Sequence, residues 1–502
     1  MTAQDKIDIG KSKRAGREAA AGVARLDAAA VNAAHRRGLY KAREPIYPKL
    51  VHGPFRTIKW GLLIFTLGVY YLLPWVRWDR GPDLPSQAVL VDFPNQKFYF
   101  FFIEIWPQEV YYITGLLIIA ALALFLVTAL FGRVWCGYSC PQTVWTDLYI
   151  AVERLVEGDR NKRMRLAKAP WTASKIAKKS VKHAIWLLIA AATGGAWIFY
   201  FHDAPTVLPQ IFTGEAPLSA YMFLGLLTFT TYIFAGSLRE QVCTYMCPWP
   251  RIQAAMIDDE TLSVTYRADR GEPRGPHKKG EPWEGRGDCI DCNQCVAACP
   301  MGIDIRDGLQ LECINCGLCI DACNGVMKKI GRPPGLISYD SEANARRRAA
   351  GERPLIRPFR ARTILYAAVL ALVAVIMLYG LTTRSTLDVN LLHDRNPTFV
   401  RLSDGSIRNG YTLKILNKSH GQRIFTVEAV GPEGLGLRAV GVAAENGPLE
   451  IEAEPDSVRV VRLFATLPAE AASAPALPVT FRIRDLMTGE EKENASTFVT
   501  GK

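Results

Sequence analysis

Five apolar stretches, each close to the length of a bilayer span, constrain the fold of this chain more than any other sequence feature. A helix needs about 20 predominantly apolar residues to cross a bilayer, because backbone groups cannot stay unpaired in lipid. Trp residues lie near the ends of these stretches, as in the aromatic belts of membrane proteins. The stretches predict transmembrane helices over Trp60–Val76, Val110–Phe131, Ala184–Phe201, Leu218–Leu238 and Thr363–Leu381.

Basic residues beside these stretches predict which side of the membrane each loop faces. Twelve Lys or Arg precede residue 58, three lie in the loop 77–109, eleven in the loop 132–183 and none in the loop 202–217. Positively charged loops stay in the cytoplasm. The N-terminus and the 239–362 segment are therefore predicted to be cytoplasmic and the C-terminal domain periplasmic. This topology accounts for the net charge of +12, and no nucleic-acid binding is expected.

Two cysteine runs between the fourth and fifth stretches have the spacing C-x2-C-x2-C-x3-C. Residues 289–300 read C-I-D-C-N-Q-C-V-A-A-C-P, and residues 313–324 read C-I-N-C-G-L-C-I-D-A-C-N. In ferredoxins with two 4Fe–4S clusters, the fourth Cys of each run binds the cluster of the other run. The runs therefore predict a doubled βαβ module with two 4Fe–4S clusters. Its ligand sets are Cys289, Cys292, Cys295 and Cys323 for one cluster, and Cys299, Cys313, Cys316 and Cys319 for the second.

A pair of structural zinc sites is the alternative for these runs, since C-x2-C pairs also bind zinc. Zinc would need only two such pairs, which would leave the last two Cys of each run partly redundant. Pro300 follows the first run, whereas Asn324 follows the second. Because this residue is not a ligand, the departure is expected to change local geometry and not the ligand set.

The second and fourth apolar stretches are each followed by a C-x-Y-x-C-P motif, which suggests two duplicated membrane hairpins. Residues 136–141 read C-G-Y-S-C-P, and residues 243–248 read C-T-Y-M-C-P. Pro favours the first helical position, so Cys140 and Cys247 are predicted to cap helices whose dipoles lower the pKa of the thiols. The pattern from Val144 to Val156 predicts an amphipathic surface helix after the first motif.

Side by side, the duplicated hairpins would gather Cys136, Cys140, Cys243 and Cys247 near the cytoplasmic face. Thiolates are soft ligands that select Cu(I), zinc or iron–sulfur clusters, and a dithiol can also carry two electrons as a disulfide. Cysteines that only pack at helix ends are the remaining alternative. The matched spacing favours a functional site and leaves the choice among these chemistries open.

From about Asp388 the sequence changes to short alternating runs separated by turn signals, which predict an immunoglobulin-like β-sandwich. This region has no Cys, and His393 and His420 are expected to be surface residues, so its predicted role is contact with a partner outside the cytoplasm. The runs are Tyr411–Leu416, Ile424–Ala429 and Val458–Leu463, with turns expected at Asp404-Gly405, Asn409-Gly410 and Asn446-Gly447.

Together these features predict a multi-domain membrane protein. No G-x-G-x-x-G motif opens a βαβ unit, so no nicotinamide or flavin site is expected and the electron donor stays unknown. The predicted segments are a partly helical, mobile cytoplasmic arm (1–57), a four-span α-helical membrane region (58–250), an α+β two-cluster ferredoxin-like domain (251–340), a basic linker at the membrane surface (341–362), a fifth span (363–383) and the β-sandwich (388–502).

This combination of motifs, in this order, resembles the cytochrome c oxidase accessory proteins of the CcoG/FixG/RdxA family from about residue 50 to the end. The front part is also similar to NapH-type quinol dehydrogenases, which typically lack so clear a terminal sandwich. The first resemblance implies a multi-pass protein of the bacterial inner membrane. It also implies a role in assembling a cbb-type haem–copper oxidase, with reduction of Cu(II) to Cu(I) as the activity.

The resemblance leads to a specific hypothesis for the site. Cys136, Cys140, Cys243 and Cys247 would hold or contact copper, while the ferredoxin cysteines supply electrons. The implied partners are a copper chaperone or transporter, oxidase assembly factors, an unidentified electron donor and a second copy of the chain. A quinol-linked electron carrier and a non-enzymatic assembly scaffold are the alternative functions.

Overall fold

A computed structural model of the protein describes residues 23, 25–32, 44–81, 84–277, 280, 282–385, 387–419, 421–442 and 448–501. The chain divides into two compact units. The first contains the membrane helices and the ferredoxin-like module up to Met377, and the second contains the C-terminal domain from Leu378 onward.

Nine helices precede the ferredoxin-like module in the described residues. Their bounds are α1 (Pro54–Leu72), α2 (Tyr111–Phe131), α3 (Val134–Tyr138), α4 (Pro141–Glu157), α5 (Arg160–Lys168), α6 (Ala173–Ile198), α7 (Ala204–Thr213), α8 (Leu218–Thr231) and α9 (Trp249–Ala254). A 3-10 turn at Leu73–Trp75 extends α1, and a π-helix over Tyr232–Leu238 extends α8. The loop between α1 and α2 contains a small antiparallel sheet of β1 (Val89–Asp92), β2 (Lys97–Phe100) and β3 (Ile103–Ile105), which the sequence analysis missed.

The ferredoxin-like module consists of β4 (Ser263–Tyr266), α10 (Ala268–Gly271), α11 (Gln294–Ala298), α12 (Leu318–Lys329) and β5 (Ile337–Asp340). Strand β4 pairs antiparallel with β5. The predicted doubled βαβ unit is wrong, because the described residues contain one strand in each half and not two. Turns that carry the cysteines stand where the other strands would be.

Three arginines of the predicted linker bind carboxylates of the first unit. They lie on α13 (Glu342–Ala349), where Arg346 pairs with Asp259, Arg347 with Glu260, and Arg348 with Asp340. The chain then enters α14 (Ala361–Thr382). The basic character of this segment therefore serves protein contacts as well as any contact with the membrane surface.

Five helical segments of the described residues are long and apolar enough to span a membrane, and each overlaps one predicted span. They comprise α1, α2, α6 and α14, and α8 with its π-helical extension. Helix α6 begins at Ala173, well before the predicted start at Ala184. Its first turns carry Lys residues, which are too polar for lipid but favourable in a helix, so the helix extends beyond its apolar part.

Nine strands in the described part of the C-terminal domain form two stacked sheets, so the predicted sandwich is confirmed. One sheet has the order β10-β12-β8-β6 with β7 paired to β8, and the other has the order β11-β9-β13-β14. The strands are β6 (Leu387–His393), β7 (Val400–Arg401), β8 (Ile407–Asn417), β9 (Arg423–Val430), β10 (Gly436–Ala439), β11 (Leu449–Ala453), β12 (Ser457–Leu467), β13 (Ala476–Asp485) and β14 (Glu491–Val499).

The turn predicted at Asn409-Gly410 is wrong, because both residues lie inside β8. The buried Asn409 amide bonds main-chain atoms of Val499 in the other sheet, with Nδ2 donating at 2.8 Å and Oδ1 accepting at 2.9 Å. His393, expected at the surface, is half-buried and lies 2.8 Å from Asn409 Oδ1. The turn at Asp404-Gly405 is confirmed, while His420 and Asn446-Gly447 lie outside the described residues.

Parts of the N-terminal arm lie against the ferredoxin-like module. Residues 25–32 and 44–50 are not helical, and the Leu26 N–H donates to the Cys292 carbonyl at 3.0 Å. The buried Asn32 side chain donates to the Met301 carbonyl at 2.7 Å. The rest of the prediction for this arm concerns residues outside those described, and the predicted domain boundaries stay predictions.

Candidate metal centres

The two cysteine loops of the ferredoxin-like module share one backbone pattern. Asp291 and Asn293 of the first loop have φ of 51° and 56°, and their counterparts Asn315 and Gly317 have φ of 51° and 70°. Gly, Asn and Asp are the residues that tolerate these left-handed conformations. The spacer residues between the cysteines therefore fold both loops into tight turns, which direct successive thiols toward the same side.

One cavity, which we call the first cavity, gathers the four cysteines predicted for one cluster. About 350 Å³ of space free of protein atoms lies in this cavity and at its opening, and its walls are mostly apolar. Tyr266 and Arg306 also line this cavity. The thiols on its wall are Cys289, Cys292, Cys295 and Cys323.

A second cavity of about 380 Å³ gathers the remaining ferredoxin cysteines. Its other walls are apolar and include Val264, Met301 and Ile314, and Cys295 lines both cavities. Its predicted ligands are Cys299, Cys313, Cys316 and Cys319. The structure therefore groups the eight thiols as the crossed-ligand rule predicts.

The chemistry of both cavities fits iron–sulfur clusters. Burial raises the pKa of the thiols, to about 12 for Cys299 and Cys323 and about 11 for Cys313. A buried thiol remains protonated near neutral pH unless a metal replaces its proton. Four such thiols around an apolar cavity are therefore suited to hold a cubane.

Arg306 supplies a buried positive charge at the first cavity. Its guanidinium donates to Asp304 at 2.6 Å, Asp291 at 2.7 Å and Asn293 at 2.8 Å. Burial alone would lower the pKa of Arg306, but its hydrogen bond to Asp304 and the Cys295 thiol raise it above its usual value. Arg306 lies outside both cysteine runs, so no spacing rule indicated it.

The departure from the ferredoxin pattern at Asn324 has a structural reason. Cys299 caps the end of α11, so Pro300 can follow it, whereas Cys323 lies inside α12, which continues to Lys329. Pro inside a helix would remove a hydrogen bond and clash with the preceding turn. Asn324 instead keeps the helix intact, and its Oδ1 accepts from the Gly335 N–H at 2.9 Å.

The same helix α12 is tied to the first spanning helix. The carboxylate of Asp321, between Cys319 and Cys323, accepts from the Arg56 N–H at 2.8 Å and from the Phe55 N–H at 3.4 Å. These N–H groups belong to the first turn of α1, where no partner exists within the helix. A residue of the cysteine-bearing helix therefore caps a membrane helix.

The two C-x3-C-P motifs form different local structures. Cys140 caps α4, with Pro141 at the first helical position, as predicted. Cys247 does not cap α9, because Pro248 does so and Cys247 lies one residue earlier, after a π-helix over Val242–Met246. The helix expected from Val144 to Val156 is confirmed within α4, although one face of it is buried and not exposed.

The expected lowering of the Cys140 pKa is wrong. Burial raises the pKa of this thiol, and the N–H groups of Thr143 and Gln142 at the helix start only partly oppose it. Burial likewise raises the pKa of Cys136, against an opposing effect of Arg133. The cost of desolvation outweighs the opposing hydrogen bonds at Cys140 and the opposing charge of Arg133 at Cys136.

All four thiols of the motifs lie close enough to affect one another electrostatically. Cys243 has its pKa raised to about 12, first by burial and then by Cys140, Cys136 and Cys247. Cys136 Sγ donates to Gln253 Oε1 at 3.1 Å and lies 4.0 Å from Arg133 Nη2. Among the described residues, no three His, Cys, Asp or Glu are arranged to hold a single metal ion.

The first motif packs directly on the loop of the second cavity. Tyr138 Oη donates to the Cys316 carbonyl at 3.0 Å. A Cβ on Gly137 would lie 2.5 Å from the Ile314 carbonyl oxygen and 3.0 Å from Cys316 Cα, so only glycine allows this approach. Tyr245, the counterpart of Tyr138 in the second motif, is 61% exposed. Of the two repeated tyrosines, Tyr138 therefore packs against the ferredoxin-like module, whereas Tyr245 is exposed.

A multi-pass membrane protein that carries a two-cluster ferredoxin module and an immunoglobulin-like terminal domain is the class that this fold and site define. Three family models match the chain. The 4Fe-4S dicluster domain matches residues 238–342, the 4Fe-4S binding domain matches residues 113–158, and the IG-like fold at the C-terminus of FixG matches residues 377–501.

Three relatives match most of the chain. Nitrogen fixation protein FixG of Rhizobium meliloti is 53% identical over 476 residues, which cover 89% of this chain and 91% of that protein. Proteins RdxB and RdxA of Cereibacter sphaeroides are each 50% identical, covering 92% and 89% of this chain and 97% and 94% of those proteins. The chain belongs to the FixG/RdxA family of membrane-associated iron–sulfur proteins.

Proposed function

We propose that this protein transfers electrons from its ferredoxin-like module to copper, reducing Cu(II) to Cu(I) for the assembly of a cbb-type haem–copper oxidase. The contact between the first C-x3-C-P motif and the second cavity carries this proposal. Gly137 and Tyr138 lie against the loop of Cys316, so soft thiols stand beside a predicted cluster site. This packing leaves a short path for electrons between the two.

The chemistry of the two sites is matched for a one-electron reaction. A 4Fe–4S cluster supplies electrons one at a time, and Cu(II) takes up one electron to become Cu(I). Soft sulfur ligands prefer Cu(I) to Cu(II), so Cys136, Cys140, Cys243 and Cys247 would favour the product when copper contacts them. The eight ferredoxin cysteines would hold the two clusters with the crossed ligand sets given above.

The charge pattern supports a cytoplasmic location for the N-terminus and both clusters, and a periplasmic location for the C-terminal domain. The family resemblance supports a copper chaperone or transporter and oxidase assembly factors as partners. A terminal sandwich on the far side of the fifth span is placed to meet such a partner outside the cytoplasm.

The test uses the full-length protein, purified anaerobically in detergent with its clusters reduced. Cu(II) is added with a Cu(I) chelator, and we expect fast reoxidation with about one Cu(I) formed per electron. Ser at all four C-x3-C-P cysteines should abolish this reaction while both ferredoxin clusters remain by electron paramagnetic resonance. Tyr245→Phe, an exposed change within the second motif, is the matched control and should react normally.

A quinol-linked electron carrier is the second candidate, and one cavity favours it. This cavity lies among the ends of membrane helices and is lined by Lys59, Asp147, Arg239 and Glu240 as well as Cys243. It also reaches Met301 and Ile314, which belong to the cysteine loops. Rapid cluster reduction by a quinol, with no reoxidation by copper, would favour this function. Reaction with neither would favour a scaffold.

A further inference from the structure

The four C-x3-C-P thiols lie close to one another. Every pair among Cys136, Cys140, Cys243 and Cys247 interacts electrostatically, although the two motifs are far apart in sequence. Cys136 is buried and the other three are half-buried, and Cys136 and Cys243 belong to the apolar core around the ferredoxin cysteines. The thiols therefore form a compact site that is continuous with the core of the ferredoxin-like module.

The spacing of these thiols does not suit a single ion. A tetrahedral metal site needs its sulfur atoms to converge at about 2.3 Å from one point. No group of three metal-ligating side chains in the described residues does this, and the ferredoxin cysteines are no exception. A cubane differs because each thiolate binds its own iron, so the four sulfur atoms stay further apart. The C-x3-C-P thiols therefore share with the two ferredoxin quartets the absence of a single-ion arrangement among the described residues.

Arg133 provides the charge that such a site requires. Its side chain is 4% exposed, Nη2 lies 4.0 Å from Cys136 Sγ, and another guanidinium nitrogen donates to the Leu311 carbonyl. Its buried Nε has no hydrogen-bond partner among the described residues. Four thiols that lose their protons to a cluster leave a net negative charge, which a buried guanidinium stabilises. Arg306 has the same relation to the first cavity.

The family match gives independent support. The 4Fe-4S binding domain model matches residues 113–158, and this segment contains two cysteines, Cys136 and Cys140. Two thiols cannot complete a cubane, which normally has four Cys ligands. Cys243 and Cys247 are the thiols that the fold brings to them.

We propose that Cys136, Cys140, Cys243 and Cys247 together hold a third 4Fe–4S cluster, beside the second cavity and close to the membrane helices. Binding replaces the four thiol protons with iron, and Gln253 gives up the hydrogen bond that it accepts from Cys136. This inference deepens the proposed function at the same site, because copper would then be reduced next to these thiols and not held by them.

The test counts iron and acid-labile sulfide in the anaerobically purified full-length protein. We expect about twelve of each per chain for three clusters, and about eight after Ser replaces all four C-x3-C-P cysteines. Tyr245→Phe should keep about twelve. About eight in the unmutated protein, with Mössbauer spectra that account for two clusters, would overturn the proposal. If the fourfold variant does not fold, the iron and sulfide content of the unmutated protein alone decides between two clusters and three.

The outcome is separable from that of the proposed function. Twelve irons without copper reduction would retain the third cluster and reject the cupric reductase. Eight irons with rapid copper reduction would reject the third cluster and retain the reductase. A reductive titration followed by electron paramagnetic resonance provides a second count, because a third cluster adds a one-electron component that the fourfold variant lacks.

Discussion

Arg306 is positioned to influence the reduction potential of a cluster in the first cavity. Four thiolates around a cluster concentrate negative charge, and adding an electron increases that charge further. The guanidinium, only 7% exposed, lies at the cavity wall and is fixed by Asp304 and Asp291. Such a charge stabilises the reduced form and raises the reduction potential of whatever the cavity binds.

Arg306→Gln should therefore lower the reduction potential of the first cluster. We expect a shift of tens of millivolts, where about 59 mV corresponds to a tenfold change in the equilibrium constant for one electron. A redox titration followed by electron paramagnetic resonance measures it. Arg306→Lys keeps the charge and is the matched control, which should shift the potential much less. An unchanged potential in Arg306→Gln would remove Arg306 from this role.

Individual residues also show which features could be predicted from the sequence and which could not. The cysteine spacing predicted the grouping of all eight ferredoxin thiols, because ligand spacing is a local property of a turn. It gave no indication of Arg306 or Arg133, because nothing in their sequence neighbourhoods specifies which cavity they reach. It also failed for the Cys140 pKa, because the amount of burial around a helix cap depends on tertiary packing.

Among the elements, α12 carries one predicted ligand for each cavity. It carries Cys319 of the second cavity and Cys323 of the first, one helical turn apart. A break in this helix would displace a predicted ligand of each cluster at once. The sequence indicated this element only through its departure from the usual pattern at Asn324.

Asn324→Pro should break α12 at a cost of about 3 kcal/mol or more. Because both ligand sets lose a member, the purified protein should contain little iron in either ferredoxin cavity. Iron analysis and electron paramagnetic resonance provide the measurement. Asn324→Ala removes only the bond to Gly335 and should keep both clusters. Full iron content in the Pro variant would contradict the importance of this helix.

Helix α4 carries a buried carboxylate that holds the start of α1. Asp147 accepts from Arg56 Nη1 at 2.8 and 2.9 Å and lies 3.9 Å from Lys59 Nζ. Burial would raise the pKa of Asp147, but Lys59 and Arg56 lower it overall below its usual value. Because the folded-state pKa is depressed, this carboxylate stabilises the protein above about pH 4 and the contribution is lost as the pH falls.

Asp147→Asn should reduce stability by about 3–5 kcal/mol at neutral pH, since it leaves buried cations unpaired. Thermal unfolding in detergent should show a lower midpoint for the variant at pH 7, and this difference should shrink in acid. Asp159→Asn is the control, because its carboxylate is 45% exposed and lies 3.9 Å from Arg154. Equal midpoints for Asp147→Asn and the unmutated protein would show that the pair contributes nothing.

At the scale of the whole molecule, the proposed topology places the two ends of the chain on opposite sides of the membrane. Ser473 is exposed in the sandwich and Ser174 is exposed at the start of α6, so this topology predicts that they lie on different sides. After Ser473→Cys, a membrane-impermeant maleimide should label cells with a permeabilised outer membrane. Ser174→Cys should react only after the inner membrane is opened, with the unmutated protein as background. Labelling of both in intact inner membranes would contradict the topology.

The spans and the sandwich could be predicted because apolar length and alternation are properties of one element. The sheet of β1–β3 and the approach of Gly137 to Cys316 could not, because they depend on contacts between distant segments. The prediction of a turn at Asn409-Gly410 was wrong for the same reason, because the Asn409 side chain forms hydrogen bonds with the other sheet. Properties of single elements could therefore be predicted from this sequence, whereas contacts between distant segments could not.

The cap that Asp321 places on α1 also orders events during biosynthesis. The first spanning helix enters the bilayer long before residue 321 has been translated. Until then, water is the acceptor for the N–H groups of Phe55 and Arg56 in the first turn of this helix. They find their acceptor when the cysteine-bearing helix folds back onto them. The final conformation of the first spanning helix is thereby completed only after the ferredoxin-like module has been synthesised.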